Sequence, residues 1–267
     1  MLTRDEFHRR FGPLPLFGMI HLKPLPGAPL FGGSMMEIVE SALRDAVAWR
    51  RGGADGLIVE NFGDRPFMKN RVTAETIAAL TRVATDLKRA FDIPLGINVL
   101  RNDASAALAI AAATGADFIR VNIHTGAMLT DQGMIEGEAA ATLRLRASIG
   151  PAISIFADHR VKHAAELVPV DDRQAARDLR LRGLADAIIV TGAETGAPID
   201  ARRLMALRDA VDAPLLAGSG ITEANAGQYA ALVDGAIVGT SVKRFGDLTQ
   251  PVDAERVERL CRRLKGE

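Results

Sequence analysis

The chain has 267 residues, 48% hydrophobic and 25% charged, so it can bury one large core and lacks the compositional bias of a disordered protein. Lys plus Arg and Asp plus Glu number 33 each, and the resulting zero net charge argues against a protein that binds nucleic acid by neutralising phosphates. The single cysteine, Cys261, excludes an internal disulfide framework and a zinc site of the Cys-x-x-Cys type.

The sequence has neither the pattern of a membrane span nor that of a secretion signal. Its apolar runs are shorter than the roughly 20 residues needed to cross a bilayer. Residues 1–6 contain Asp5 and Glu6 and lack the apolar segment of a signal peptide. Together with the single cysteine, these features predict a cytoplasmic protein with no integral membrane segment. Peripheral association with a membrane stays an open alternative.

Short apolar runs alternate along the chain with longer stretches of helical spacing, rich in Ala, Leu and Arg. Eight runs of strand length lie near residues 16–22, 56–61, 94–100, 118–124, 152–158, 187–191, 214–218 and 236–240. Helical patterns cover residues 35–51, 73–90, 104–114, 138–148, 171–182, 201–210, 224–232 and 253–264. This alternation predicts an α/β fold, a single-domain TIM (β/α)8 barrel. A doubly wound open sheet is the alternative, but no early Gly-x-Gly-x-x-Gly supports it.

The joints between helices and strands use two devices. In the first, a glycine ends the helix and an aspartate leads into the next strand, as at Asp55, Asp117 and Asp186. In the second, the strand begins after a proline, as at Pro94 and Pro214, because the first residue of a strand need not donate to the ladder. Both devices are typical of short αβ loops.

No linker rich in Pro, Ser or Gly interrupts the middle of the chain, which predicts one domain. Residues 1–14 are predicted to form an N-terminal arm that could lie over the bottom of the barrel, and residues 15–267 the barrel domain. The segments that follow strands are long or chemically dense, at 23–34, 62–71, 125–137 and 159–170. We therefore expect the functional residues in these segments, at the carboxyl ends of the strands.

Two strands in the last quarter of the chain end in glycines and hydroxyl side chains. They end in Gly218, Ser219 and Gly220, and in Gly239, Thr240 and Ser241. Glycine lets backbone N–H groups approach a phosphate closely, and the hydroxyls can donate further hydrogen bonds. This matches the phosphate site that barrels form after strands 7 and 8. The alternative is that the glycines serve only tight turns.

A carboxylate and an amide, Glu60 and Asn61, stand where the second strand ends. Because side chains alternate between the faces of a strand, one of the two points into the mouth of the barrel. A buried carboxylate there would have a raised pKa and could act as a general acid or base, or hold a divalent ion. The alternative is a structural salt bridge, for example to Arg120.

Other polar side chains stand at or just past strand ends. They are His21, Asn98, Asn122, His124, Asp158 and His163. Imidazole is suited to proton transfer near neutral pH. His21, His124 and Asp158 are therefore candidates for catalysis, together with Glu60. The amides of this set, together with Asn61, are candidates for orienting the substrate. Each residue alone could be structural, but convergence from several strands is how barrel active sites are assembled.

The densest polar cluster, 158–163, follows the fifth strand. Lys162 could pair with a substrate anion, act as a base or form a Schiff base, or be an exposed loop lysine. No His-x-x-x-His or His-Glu-x-x-His spacing exists, so no metal ligands are assigned, and no organic cofactor is indicated. A divalent metal stays an open alternative.

Two further loops are polar and rich in glycine. Residues 122–133 have the composition of a lid over a barrel mouth, or of a plain surface loop. Residues 191–198 follow the sixth strand, and the hydroxyls there, including that of Thr191, could reach a sugar or a phosphate.

The motifs in these segments resemble those of the BtpA family. The longest are Gly18-Met19-Ile20-His21-Leu22, Glu60-Asn61-Phe62-Gly63-Asp64, Gly96-Ile97-Asn98-Val99-Leu100-Arg101-Asn102-Asp103, Thr130-Asp131-Gln132-Gly133 and Gly239-Thr240-Ser241-Val242-Lys243. The resemblance runs from about residue 16 to residue 246. It implies a TIM barrel similar to the ribulose-phosphate-binding barrels, and a role in photosystem I biogenesis, from which the family takes its name. It also implies relatives in organisms that do not photosynthesise, often beside genes of sugar metabolism.

These observations predict an enzyme that acts on a small phosphorylated metabolite, either a phosphosugar or a nucleoside-derived sugar phosphate. Isomerase, epimerase, aldolase and lyase chemistry all fit, and the sequence does not choose among them. The alternative is a non-catalytic assembly or stability factor for photosystem I. A homo-oligomer is an open alternative to a monomer.

Overall fold

The computed structural model describes residues 1–161, 164–192, 199–218 and 220–267. The strands of these residues are β1 (Leu16–His21), β2 (Gly56–Glu60), β3 (Leu95–Asn98), β4 (Phe118–Val121), β5 (Ala127–Thr130), β6 (Gly133–Glu136), β7 (Ser154–Asp158), β8 (Ala164–Glu166), β9 (Ala187–Val190), β10 (Leu215–Gly218) and β11 (Gly235–Val238). Eight parallel strands close into a barrel in the order β1-β11-β10-β9-β7-β4-β3-β2. The predicted TIM barrel is therefore confirmed, and the open sheet is excluded.

Helices surround the barrel at the places that the helical spacing predicts. They are α2 (Met35–Arg51), α3 (Ala74–Ala90), α4 (Ala104–Thr114), α5 (Ala139–Ile149), α6 (Asp172–Arg177), α7 (Ala201–Ala210), α8 (Ala226–Tyr229) and α9 (Ala254–Lys265), preceded by α1 (Arg4–Phe11). Several begin at a side-chain cap, such as Ser34 before α2 and Asp103 before α4. In the part of the chain that the structure describes, no helix is long and apolar enough to cross a membrane.

Side chains of the barrel strands divide between two cores, as the twofold alternation of strands requires. One set packs beneath the helices, and the other fills the interior of the barrel. The interior set includes Phe17, Ile58, Phe118 and Phe156. These rings fit because a small residue stands opposite a large one: a Cβ on Gly96 would lie only 2.2 Å from the ring of Phe118.

Helix α1 lies across the amino end of the barrel. Its Phe11 ring centroid is 5.5 Å from that of Phe156 and 5.7 Å from that of Phe17, so the helix extends the interior core downwards. Arg10 donates hydrogen bonds to the carbonyl oxygens of Asp117 and Ala152, which precede two barrel strands. The residues of the predicted arm thus close the bottom of the barrel with aromatic rings.

Aspartates at the amino ends of alternate barrel strands make the same pair of hydrogen bonds, which we call the aspartate clamp. Each carboxylate accepts the backbone N–H of a residue at the start of the neighbouring strand, and each aspartate N–H donates to the carbonyl of that same residue at 2.7–2.9 Å. The carboxylate bonds join Asp55 to Leu16 (2.8 Å), Asp117 to Leu95 (2.9 Å), Asp186 to Ile155 (2.8 Å) and Asp234 to Leu215 (2.8 Å). A basic side chain balances each carboxylate: Lys265, Lys88, Arg146 and Arg208, respectively.

A small antiparallel sheet stands beside the barrel, where the sequence predicts loops. Strands β5 and β6 form a hairpin in the segment after β4, and β8, from the segment after β7, pairs with β5. Residues 122–133, predicted as a lid loop, therefore contain a strand and the turn of a hairpin. The pairing depends on two segments that are far apart in sequence, which a local pattern does not reveal.

Candidate functional site

A cavity of about 800 Å³ opens at the carboxyl ends of the barrel strands. Its floor includes Met19 and Ile237 from the interior core, and its walls carry the ends of the strands and the segments that follow them. Several predicted site residues line it: His21, Glu60, Asn122, Asp158, Thr191, Gly220, Gly239, Thr240 and Ser241. The location agrees with the rule that barrel active sites lie at this end.

His21 of β1 and Glu60 of β2 face each other in the cavity, with 3.8 Å between Nε2 and Oε1. Burial raises the pKa of Glu60 to about 7, with the negative charge of Asp158 adding to the effect and Arg120 opposing it. Burial lowers the pKa of His21 to about 3, helped by the positive charges of Lys243 and Arg120. At neutral pH the imidazole is therefore uncharged, and the carboxyl group can both release and take up a proton.

Asp158 at the end of β7 is already paired. Arg120 donates to both of its carboxylate oxygens, from Nε at 3.0 Å and from Nη2 at 3.1 Å, and Asn122 donates to one of them at 2.8 Å. This bidentate pair takes up Arg120, so the structural salt bridge that the sequence offered for Glu60 is made by Asp158 instead. Asp158 lines the cavity as a carboxylate that orients Arg120 and Asn122.

The turns after β10 and β11 meet at one side of the cavity. Gly220 has φ +81°, a left-handed conformation that favours glycine. Thr240 and Ser241 begin a short 3₁₀ turn, and the hydroxyl of Ser241 is buried with no hydrogen-bond partner among the described residues. Gly218 does not line the cavity: it makes room inside the barrel, where a Cβ would lie 2.3 Å from Cγ2 of Ile189. Ser219 lies outside the described residues.

Gly239 brings this turn into contact with the His21–Glu60 pair. A Cβ on Gly239 would lie 2.6 Å from Cε1 of His21 and 3.2 Å from Cβ of Met19. Only glycine therefore allows the imidazole to pack against the backbone at the end of β11. The predicted phosphate turn and the titratable pair are immediate neighbours.

A buried lysine holds the same turn from behind. Lys243 is 2% exposed, and its Nζ is 3.3 Å from Oδ2 of Asp45 on α2 and donates to the carbonyl oxygen of Gln250 at 2.8 Å. Asp45 also accepts the N–H of Val252. The segment after β11 is thus tied at both ends to α2.

Besides Gly218, three described residues of the predicted site lie outside the cavity. His124 donates from Nε2 to the carbonyl oxygen of Gly183 at 2.7 Å, so its imidazole links the segment after β4 to the end of the π-helical turn Asp178–Arg182. Asn61 bonds both backbone groups of Leu100, and Asn98 donates to Asn122 Oδ1 at 3.2 Å. We expected these three at the mouth; the structure gives them structural hydrogen bonds instead.

The segments after β7 and β9 are described in part. Thr191 lines the cavity, and its hydroxyl donates to the carbonyl oxygen of Arg160 at 3.0 Å. Lys162, His163 and residues 193–198 lie outside the described residues.

Several cavity residues were not singled out by the sequence reasoning. Phe62, Arg65 and Phe67 come from the segment between β2 and α3, Arg101 follows β3, and Asp131 is in the hairpin turn between β5 and β6. Burial lowers the pKa of Arg101, against the nearby charges of Asp158 and Asp131. Phe62, Arg65 and Phe67 lie in segment 62–71, where functional residues are expected, and Asp131 lies in the predicted lid. The two aromatic residues in a segment that follows a strand are the signal that points to the first group, and the sequence gives no comparable signal for Arg101.

The described residues contain no group of three or more His, Cys, Asp or Glu side chains that could hold a metal ion. The nearest approach to one in the cavity is the His21–Glu60 pair, while Asp158 is committed to Arg120.

Structural comparison places the fold among known barrels. A phosphoribosylanthranilate isomerase of Pyrococcus furiosus superposes with a TM-score of 0.58 at 14% identity, covering 95% of this chain and 100% of that one. A tryptophan synthase of Mycobacterium tuberculosis superposes with a TM-score of 0.62 at 14% identity, covering 98% and 96%. At this identity the likeness shows the fold alone.

Sequence comparison is more specific. An uncharacterized protein of Pyrococcus furiosus is 46% identical over 94% of this chain and 95% of its own length. The photosystem I biogenesis protein BtpA of Synechocystis is 45% identical over 91% of this chain and 85% of its own length. The model of the BtpA family matches residues 13–266, and the chain therefore belongs to the BtpA family.

Proposed function

We propose that this protein is an enzyme that transfers protons to and from a small phosphorylated metabolite, a phosphosugar or a nucleoside-derived sugar phosphate. The observation that carries the proposal is the contact between His21, which faces Glu60, and Gly239 in the turn predicted to bind phosphate. A cytoplasmic location belongs to the same proposal.

The phosphate group would lie at the turns after β10 and β11. The left-handed Gly220 and the close-packed Gly239 keep side chains away from the backbone there, so N–H groups can approach an anion. The hydroxyl of Ser241 is a buried polar group without a partner, and a phosphate oxygen would satisfy it.

A ligand held there would place its carbon atoms over the His21–Glu60 pair. With a pKa of about 7, Glu60 can remove a proton at neutral pH and return it to another atom. A neutral His21 can donate a hydrogen bond to an oxygen on which negative charge develops. Asp158, with both oxygens occupied, would position Arg120 and Asn122 towards the substrate. Isomerase, epimerase, aldolase and lyase steps all draw on such a pair.

The first test is ligand binding. Purified protein would be screened by thermal shift against pentose and hexose phosphates and against the same sugars without phosphate. We expect stabilisation by phosphorylated members only, because a ligand that binds the native state raises the melting temperature by mass action. A flat response to the whole panel would contradict the proposal.

The second test is proton exchange. With the best ligand in deuterated buffer, we expect solvent deuterium to enter the ligand, and Glu60→Gln to slow this exchange by about 100-fold or more, the range of general acid–base catalysis. Glu223→Gln is the matched control, because Glu223 pairs with Arg259 on the surface and lies outside the cavity. Full exchange by Glu60→Gln would remove that carboxyl group from the mechanism.

A second candidate function is assembly of photosystem I, which the name of the Synechocystis relative favours. In this case the barrel would present a surface to a partner and need no turnover. Recovery of photosystem I proteins in a pull-down from a phototroph, combined with no response to phosphorylated ligands, would favour the assembly role.

A further inference from the structure

We propose that the cavity takes a sugar phosphate whose sugar carries a planar ring, of the nucleoside 5′-monophosphate kind, and that Phe62 and Phe67 hold this ring. The proposal rests on the proposed function, because the phosphate end of the ligand is assigned to the turn after β11. It adds a platform for the opposite end of the ligand and thereby names the substrate class.

The platform consists of two partly exposed phenyl rings on the wall of the cavity. The ring centroids of Phe62 and Phe67 are 6.4 Å apart, and the ring planes are inclined by 58°. The guanidinium of Arg65 lies 5.1 Å from the centroid of Phe62. Aromatic faces and a guanidinium plane are the groups on which proteins stack nucleobases.

Hydrogen bonds fix the backbone of the segment that carries the platform in the absence of any ligand. Asp64, between the two rings in sequence, accepts the N–H of Leu25 at 2.8 Å and an amide hydrogen of Asn61 at 3.1 Å. Gly63 donates to the carbonyl oxygen of Leu22, and a Cβ on Gly63 would lie 2.4 Å from the backbone nitrogen of Pro24. The segment is therefore pressed against the chain that follows β1, and such preorganisation reduces the entropy lost on binding.

Adjacent contacts lead from the phosphate turn to the platform. The ring of His21 packs against Gly239, the ring centroid of Phe62 is 5.0 Å from that of His21, and Phe67 follows Phe62. A ligand with its phosphate at the turn and its sugar over His21 and Glu60 would thus place a ring attached to the sugar against the phenyl groups.

The size of the cavity agrees with a ligand of this length. Its volume of about 800 Å³ lies in the upper part of the roughly 300–1,000 Å³ range of small-molecule sites, and a pentose phosphate alone would leave most of it empty. A planar ring would fill the part lined by Phe62 and Phe67.

Calorimetric titration with three probes tests the proposal: ribose 5-phosphate, adenosine 5′-monophosphate and adenosine. We expect the nucleotide to bind at least tenfold more tightly than ribose 5-phosphate, as base stacking on aromatic side chains commonly contributes this much. Phe67→Leu, which keeps an apolar side chain but removes the ring, should abolish most of this advantage and leave ribose 5-phosphate binding unchanged. Phe245→Leu is the matched control, because Phe245 is 94% exposed and does not line the cavity.

The outcomes separate this proposal from the proposed function. If ribose 5-phosphate binds and the nucleotide binds no more tightly, or if Phe67→Leu leaves the advantage intact, the platform is overturned and the phosphate site stands. If the nucleotide and adenosine bind equally, with the advantage lost in Phe67→Leu, the platform is supported and the phosphate site fails. If none of the three probes binds, the platform is overturned, and the panel of pentose and hexose phosphates decides the proposed function separately.

Discussion

The same eight strands make both ends of the barrel, but the two ends differ in polarity and in how well their buried polar groups are paired. At the amino end, phenyl rings of α1 and the strands pack without polar groups between them, and the aspartate clamps satisfy the backbone around this core. At the carboxyl end, Glu60 and His21 have strongly shifted pKa values, and the hydroxyl oxygen of Ser241 is buried without a hydrogen-bond partner among the described residues. The amino end stabilises the fold, whereas the shifted pKa values and unpaired polar atoms of the carboxyl end lower its stability. Such a loss is typical of a functional site.

The largest expected effect is a loss of stability from a substitution at the amino end of the barrel. Phe11→Ala removes a 4% exposed ring that contacts Phe17, Phe118 and Phe156. We expect the free energy of unfolding to fall by about 4 kcal/mol, through lost burial and the cavity left behind. Chemical denaturation measures it, with Phe245→Ala as the control, which should change by no more than about 0.5 kcal/mol. If Phe11→Ala cost no more stability than Phe245→Ala, the buried contacts of Phe11 would contribute little to the stability of the core.

A second substitution tests the aspartate clamps. Asp234 is 1% exposed, and its carboxylate binds Arg4, Arg208 and the N–H of Leu215. Burial alone would raise the pKa of Asp234, but these partners hold that pKa below its ordinary value.

We expect Asp234→Ala to lower the free energy of unfolding by about 3 kcal/mol, because it leaves a buried N–H and two cations without their acceptor. Asp55→Ala should cost less, since the Asp55 side chain is 32% exposed. Equal losses at the two positions would mean that burial of the clamp does not matter.

The third prediction concerns pH and the carboxyl end. Because the pKa of Glu60 is raised from 4.5 to about 7 on folding, the folded state holds its proton more tightly. The stabilisation is complete below pH 4.5 and is lost as the pH rises through 7.

Glu60→Gln does not titrate, so its stability relative to the parent protein should rise on the order of 2 to 3 kcal/mol between pH 4.5 and pH 8. Unfolding curves across this range for both proteins provide the measurement. His21 titrates in both, so its contribution cancels in the difference. A difference independent of pH would indicate that folding leaves the pKa of Glu60 unchanged.

The smallest effect on stability is expected at the phosphate turn. Ser241→Ala removes a hydroxyl that has no partner among the described residues, so the free energy of unfolding should change by less than about 1 kcal/mol. Affinity for a phosphorylated ligand should nevertheless fall about tenfold, the value of a hydrogen bond to a charged group. Ser148→Ala, at an exposed serine of α5, is the control. Unchanged affinity in Ser241→Ala would place the anion elsewhere.

The architecture was predictable because each barrel strand is buried on both faces and therefore gives a continuous apolar run. Helices α2, α4 and α7 begin and end at the predicted residues, where caps and apolar spacing coincide. The sheet of β5, β6 and β8 was not predictable, because its strands are short, partly exposed and joined across more than 30 residues.

The candidate site was predictable only in part. The alternation of side chains along a strand predicts that either Glu60 or Asn61 faces the mouth of the barrel. Only the register of the barrel strands assigns Glu60 to the cavity. His124 stands past the end of β4, where strand alternation no longer fixes direction, and its imidazole turns towards Gly183. Phe62 and Phe67 carry no polar signal, so their value depends on a neighbourhood that the linear sequence does not display.

Among the described residues, each aspartate clamp joins the strand that follows an Asp-led joint to the barrel strand before it in the chain. Strands β3 and β10 begin after prolines instead, and the carbonyl oxygens of Pro94 and Pro214 accept hydrogen bonds from Leu57 of β2 and Ile188 of β9, the strands that precede them in the chain. The barrel therefore consists of four pairs of consecutive barrel strands, and one aspartate clamp joins the two strands of each pair. A recombinant chain that exchanges whole pairs of strands, cut in front of Pro94 or Pro214, would keep both hydrogen bonds of each aspartate clamp within one parent sequence, whereas a cut one strand later would separate a carboxylate from the amide it accepts.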